Sequence, residues 1–141
     1  MECKSLGADV ILLIAAILTP SLATSLTKLA HSLGLEVLLE VHDEGELKSH
    51  QGTGPDLIGV NNRNLKTFDV SLETSRRLAS FIEPGLVPVS ESGIEHPDKI
   101  IELTKIGYRG FLVGQRFMES ESPAIAAFAF VKQLQNKREG V

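Results

Sequence analysis

The chain has 141 residues, enough for one domain with a sizeable core. Hydrophobic residues make up 43% and charged residues 23%, which argues against disorder, and the net charge of -4 offers no general attraction to nucleic acid or anionic membranes. The single cysteine, Cys3, excludes an intramolecular disulfide and a four-cysteine zinc site; it is read as inert, and the composition fits a cytoplasmic protein.

In chain order, Cys3-Lys4-Ser5-Leu6-Gly7-Ala8 reads as the tail of a helix with its glycine cap. The apolar run over 10–18 is too short for a transmembrane helix, and Glu2 and Asp9 stand where a signal peptide needs basic residues. It reads instead as a fully buried strand of a parallel sheet, over 9–14. Thr19-Pro20 then caps a helix whose apolar stripe is Leu22, Leu26, Leu29, Ala30 and Leu33, ended by Gly34. A second strand is expected over 36–41. Asp43-Glu44-Gly45-Glu46 resembles a capping box and opens a short helix that stops by Gly52.

The third strand covers 56–61. Leu72, Arg76, Ala79 and Ile82 share one helical face before the Pro84-Gly85 stop. After a strand over 86–90, His96-Pro97 opens a helix carrying Ile100, Ile101 and Leu103, which closes at Gly107. A fifth strand covers 110–114, and Ser122-Pro123 caps a last helix with Ile125, Phe128, Val131 and Leu134 on one face. Residues 136–141 read as a frayed tail.

The chain is therefore one domain, 1–141, of five βα units, an α/β fold with a parallel sheet. Two architectures use this repeat. A five-stranded doubly wound sheet fits the length as it stands. A (β/α)₈ TIM barrel needs more chain, but at about 28 residues per unit eight units come to about 224, so five units make a partial barrel.

In either architecture function sits at the carboxyl ends of the strands. The second strand ends Leu39-Glu40-Val41-His42, and a carboxylate among apolar neighbours is costly if unpaired, so Glu40 reads either as a surface residue on an edge strand or as a catalytic or binding carboxylate at a barrel mouth. The third ends Gly59-Val60-Asn61-Asn62-Arg63, where Asn61 can hydrogen-bond a ligand and Arg63 can neutralise an anion. The fourth and fifth end Ser90-Glu91-Ser92-Gly93-Ile94 and Val113-Gly114-Gln115-Arg116. Glycine turns after the last strands of a barrel suit phosphate binding. The four histidines, His31, His42, His50 and His96, show no metal-ligand spacing, and no Walker loop or dinucleotide fingerprint occurs.

Together, Ile11-Leu12-Leu13-Ile14-Ala15-Ala16-Ile17-Leu18, Leu39-Glu40-Val41-His42-Asp43-Glu44, Ile58-Gly59-Val60-Asn61-Asn62-Arg63-Asn64-Leu65, Ser90-Glu91-Ser92-Gly93-Ile94 and Phe111-Leu112-Val113-Gly114 closely resemble the indole-3-glycerol-phosphate synthase family. The resemblance runs in order over nearly the whole chain. It implies that the five strands are the fourth to eighth of a TIM barrel, and that the parent is a carboxy-lyase of tryptophan biosynthesis. That enzyme closes an indole ring on 1-(2-carboxyphenylamino)-1-deoxyribulose 5-phosphate with loss of carbon dioxide and water.

The resemblance further implies catalytic roles for Glu40, Asn61 and Glu91, substrate contacts for Arg63 and Ser92, and phosphate contacts for Gly93, Gly114 and Gln115. Gln115-Arg116 departs from the Ser or Glu found there in many relatives. No cofactor, metal, nucleic acid or membrane is implied; the partner is a sugar-phosphate substrate. The family's lysines and a further glutamate come from strands this chain does not contain, so the chain alone is expected to be inactive. It is also expected to self-associate or to pair with the N-terminal part of a barrel. The competing expectations are a non-catalytic sugar-phosphate-binding module and a half-barrel assembly partner.

Overall fold

A computed structural model describes residues 2–140, the Cys3 side chain excepted, so the readings of Cys3 and Val141 lie outside the described residues. The elements are α1 (Glu2–Ser5), β1 (Val10–Ile14), a 3₁₀ turn (Ala15–Ile17), α2 (Pro20–Ser32), β2 (Glu36–Val41), α3 (Glu44–Ser49) and β3 (Leu57–Asn61). They continue with α4 (Glu73–Leu78), a second 3₁₀ turn (Ala79–Phe81), β4 (Val87–Glu91), α5 (Pro97–Lys105), β5 (Gly110–Leu112), α6 (Gln115–Met118) and α7 (Pro123–Glu139).

Local chemistry starts most of the helices as read. The Thr19 hydroxyl accepts from the Leu22 N–H at 3.3 Å, and Asp43 Oδ1 accepts from the Glu46 N–H at 2.8 Å. Glu46 does reach back, but to the N–H of His42 (2.7 Å) rather than to that of the cap residue itself. Ser122 is a correction: it holds the N-cap position of α7 without a side-chain bond, and Pro123 at the first helical position sets the start. The same helix runs through Glu139, past the expected fraying point, and Lys137 Nζ on its last turns reaches Asp98 Oδ1 at 2.7 Å.

All five strands pair in parallel, in the order β1-β2-β3-β4-β5. That order overturns the doubly wound alternative, which needs a point where strand order reverses. Each strand is laid beside the one before it, with the crossover helices on one side, so the chain is an α/β fold built as five βα units of a partial barrel.

The two faces of the sheet differ. Leu13, Val37, Leu39, Val41, Ile58 and Val60 point towards the helices and join Ala30, Leu47, Leu78, Leu103 and Tyr108 in one core. Burying each large apolar side chain there contributes about 1.5–3 kcal/mol. The other, concave face carries Leu38, Glu40, Gly59, Asn61, Val89 and Glu91. Its register sets Glu40 beside Gly59 and Asn61 beside Glu91. The expectation that β1 is fully buried is corrected: Val10 is 43% and Leu12 50% exposed, because β1 is an edge strand with only its helix-facing side covered. Leu112, on the opposite edge strand, is also 50% exposed.

Three helices cover only part of the stripe expected of them. In α2 Leu26, Ala30 and Leu33 of the stripe pack in or against the core and Ala23 and Thr27 are buried as well, while Leu22 and Leu29 face out. On the α4 face Leu72, Ala79 and Ile82 pack against the core as read, Ser75 and Leu78 are buried, and only Arg76 departs, forming ion pairs with Glu73 and Glu102 on the surface. In α7 Phe130 is buried, its ring 5.6 Å edge-on from Phe117, whereas Ile125, Phe128 and Val131 are exposed. An apolar stripe identifies a face that seeks cover; it does not identify which neighbour is present to supply it.

Candidate active site

The carboxyl ends of β2, β3, β4 and β5 bring the eight expected residues to one end of the sheet. Glu40 is the second-last residue of β2, Asn61 ends β3 with Arg63 two residues beyond it, Glu91 ends β4, Ser92 and Gly93 follow it, and Gly114 caps α6, which opens at Gln115. Asn61 joins the group together. Its Nδ2 donates to Glu40 Oε1 (3.2 Å), and its Oδ1 accepts from the Ser92 hydroxyl (2.9 Å) and from the Arg63 N–H (3.0 Å).

Glu40 and Glu91 are both buried on the concave face, 7% and 6% exposed. Gly59 between them makes this arrangement feasible: a side chain at that position would overlap the Glu91 carboxyl and Leu38. Burial, followed by the hydrogen bond and charge of Glu40, pushes the Glu91 carboxyl up to about 8. Ionised, Glu91 would leave Oε1 buried without a donor; protonated, it can donate to Glu40. Burial thus favours the protonated, proton-donating form of Glu91.

A cleft of about 660 Å³ opens beside this pair, lined by Arg63, Glu91, Ser92, Gly93, Gly114, Gln115 and Arg116 among others. The two glycines in it are there for different reasons. Gly93 has φ +75°, and a Cβ on it would sit 2.5 Å from Val70 Cγ1, so the turn itself demands glycine. A Cβ on Gly114 would meet no protein atom within 4 Å and would project into open space. The Gln115 side chain is engaged at both ends: its carbonyl accepts from the Arg63 guanidinium, and its amide donates to Glu119 Oε1 at 2.7 Å. Arg63 is thereby tethered across the cleft from β3 towards α6.

Sequence reasoning missed two supports of this site. Asn62, 2% exposed, donates to Ser90 Oγ (3.1 Å), Glu91 O (3.0 Å) and Ser92 O (3.1 Å), and accepts from the Ser75 N–H (3.0 Å). This clamp helps hold Ser92 at φ +67°, a left-handed conformation that non-glycine residues seldom adopt and that lets its hydroxyl reach Asn61. Asn62 was visible only as part of a turn motif. The second support is His42, set between Glu40 and Glu46. The other histidines serve elsewhere: His31 pairs with Asp56 at 2.9 Å, and the buried His50 ring has its nitrogens 3.0 Å from Glu46 O and Leu18 O. Burial works against the Asp56 charge, but His31 and the Val37 N–H hold its carboxyl below its usual value.

Solved structures with this arrangement include thiamine phosphate pyrophosphorylase from Pyrococcus furiosus (TM-score 0.71, 20% identity, 95% of this chain and 63% of that one). Another is orotidine 5'-monophosphate decarboxylase from Sulfolobus solfataricus (TM-score 0.67, 14% identity, 96% and 66%). At such identities the likeness is one of fold. Sequence relatives are nearer. The indole-3-glycerol phosphate synthase of Magnetococcus marinus is 46% identical over 123 residues, 87% of this chain and 46% of the relative. That of Bacteroides thetaiotaomicron is 45% identical over 134 residues, 95% and 51%. The chain thus spans about half the length of the curated relatives it matches. The sequence model of indole-3-glycerol phosphate synthase matches residues 1–130, and the chain belongs to that family.

Proposed function

We propose that this chain supplies the second part of the active site of an indole-3-glycerol phosphate synthase, a cytoplasmic carboxy-lyase of tryptophan biosynthesis. The observation that supports this most is the facing Glu40–Glu91 pair beside a cleft that ends in Gly93 and Gly114. Ring closure on 1-(2-carboxyphenylamino)-1-deoxyribulose 5-phosphate needs a proton at the departing carbonyl oxygen, negative charge beside the iminium-like intermediate, and a base to complete the aromatic ring. Glu40 suits the stabilising and basic roles, and protonated Glu91 the donating one. Asn61 and Ser92 hold the substrate, Arg63 meets an anionic group, and the turns at Gly93 and Gly114-Gln115 cradle the phosphate with backbone N–H groups.

The test is reconstitution. The chain alone should give no ring closure. Mixed with a separately made polypeptide supplying the first three βα units of the Magnetococcus marinus relative, it should give measurable product. Turnover by the pure chain alone would overturn the division of roles. No product from the mixture, despite stable association, would overturn the catalytic reading and leave a sugar-phosphate-binding module.

The phosphate assignment has its own expected result. A Cβ at position 114 meets only open space, so a side chain there enters the cleft without displacing protein atoms. Gly114→Val should weaken sugar-phosphate binding by about tenfold or more, about 1.4 kcal/mol. Calorimetry showing unchanged affinity would mean that the turn is only a connection.

The open sheet predicts association as well. β1 and β5 are unpaired edges that carry the exposed Val10, Leu12 and Leu112, and α7 exposes Ile125 and Phe128. Light scattering at micromolar concentration should find the chain self-associated in isolation and shifted to a one-to-one complex by the N-terminal polypeptide. A clean monomer would count against the exposed apolar faces as contact surfaces.

A further inference from the structure

We propose that His42, itself held by Glu46, is the positioning residue for the Glu40 carboxylate, a role that deepens the ring-closing function proposed above and rests on it. The His42 side chain is only 10% exposed and spans two carboxylates from different elements. Its Nε2 lies 3.1 Å from Glu40 Oε1 on β2, and its Nδ1 lies 3.2 Å from Glu46 Oε2 on α3. Glu46 is fixed in turn. Its Oε2 also accepts from the His42 backbone N–H at 2.7 Å, and the Asp43 cap and the His50 ring hold its helix turn.

The arrangement answers a mechanical need. A glutamate side chain has three rotatable bonds, and Glu40 must keep one orientation towards Glu91 on β4. Two side chains converge on the same oxygen, Oε1: Asn61 Nδ2 at 3.2 Å and His42 Nε2 at 3.1 Å. Together they hold the Oε1 side of the carboxylate. A helix-start role does not explain the ring, because the backbone N–H of His42 already makes the capping bond to Glu46. Nor does packing alone explain it: the buried Nε2 has Glu40 Oε1 at 3.1 Å, a close polar contact that stops short of hydrogen-bond geometry in this conformation. The charged groups facing the ring are Glu40 and Glu46, with Glu91 on the far side of Glu40.

Two substitutions separate positioning from packing. Glutamine places an amide N–H about where imidazole Nε2 sits and asparagine about where Nδ1 sits, so His42→Gln keeps the donor to Glu40 and His42→Asn loses it. The first readout is carboxyl carbon NMR of the chain itself, following Glu91, whose carboxyl is pushed up to about 8 by burial and Glu40. His42→Asn should let Glu40 turn away and move the Glu91 midpoint down by at least about half a unit, while His42→Gln stays near the parent. Glu46→Gln, which leaves the imidazole in place but loosens it, should shift the midpoint in the same direction, and it decides the matter if His42→Asn does not fold. No shift in His42→Asn or Glu46→Gln, or equal shifts in His42→Gln and His42→Asn, would overturn the proposal.

The second readout is turnover in the assembly with the N-terminal polypeptide. There His42→Asn should lower kcat about tenfold at unchanged KM, and His42→Gln should restore most of it. Equal losses in both variants, or a loss confined to KM, would also overturn the role. If the parent assembly shows no ring closure while the NMR results are as expected, the ring-closing function fails and the positioning of Glu40 stands.

Discussion

Glu40→Gln should lower ring-closing turnover of the assembled barrel by at least about 10²-fold, the usual scale for a positioned acid–base group. Sugar-phosphate affinity should change little, because the Gly93 and Gly114 turns follow β4 and β5 and Glu40 is not among the residues lining the cleft. The substitution preserves shape. A glutamine amide can still accept from Asn61 Nδ2 through its oxygen, so the loss falls on charge and basicity rather than on packing. Steady-state kinetics should show the deficit in kcat, with KM near the parent value. Unchanged kcat would remove Glu40 from the chemistry.

Glu91→Gln should make the chain more stable at pH 8 and abolish the pH dependence expected of the parent. Burial and the neighbouring Glu40 raise the folded-state value of Glu91 from 4.5 to about 8. In the unfolded chain the carboxyl loses its proton near the ordinary value. Between these limits the folded state binds more protons, so stability falls as pH rises. The contribution of this group is complete below 4.5 and is lost as pH passes through about 8. Glutamine is neutral throughout and can still donate to Glu40. Denaturant titrations should therefore show the variant ahead by about 1–2 kcal/mol at pH 8, a discounted share of the full linkage because solvent reaches the open face. The gap should close towards pH 4.5. Parallel curves for the two proteins would mean that Glu91 does not hold its proton in the fold.

Much of the site was legible because strand ends are local features. Glu40, Asn61 and Glu91 each close an apolar run, and a parallel sheet in chain order must bring such ends to one side. The supporting residues were not legible. His42 follows Glu40 by two positions, which in a strand places both side chains on the same face, but its meeting with Glu46 depends on how α3 turns back against β2. Asn62 reads as an ordinary turn residue until Ser75, Ser90 and Ser92 are seen around it. Gly59 reads as a weak point in a strand, and its purpose emerges only from the Glu91 carboxyl that occupies the space a side chain would take.

The sequence by itself determined where the strands lie, how Thr19 and Asp43 start their helices, and which polar residues end the strands, because these follow from period, capping and chain order within a few residues. Only the tertiary structure decided between a barrel and a doubly wound sheet, since both are built from the same βα unit and differ in where each strand is laid. It also decided that Leu22, Leu29, Ile125 and Phe128 face outward while Ala23 and Phe130 are covered, because burial depends on the neighbour and not on the stripe. It decided the protonation of Glu91 for the same reason. A carboxyl takes its pKa from the dielectric and the charges around it, and Glu40 is 51 residues away in the chain but beside it in the fold.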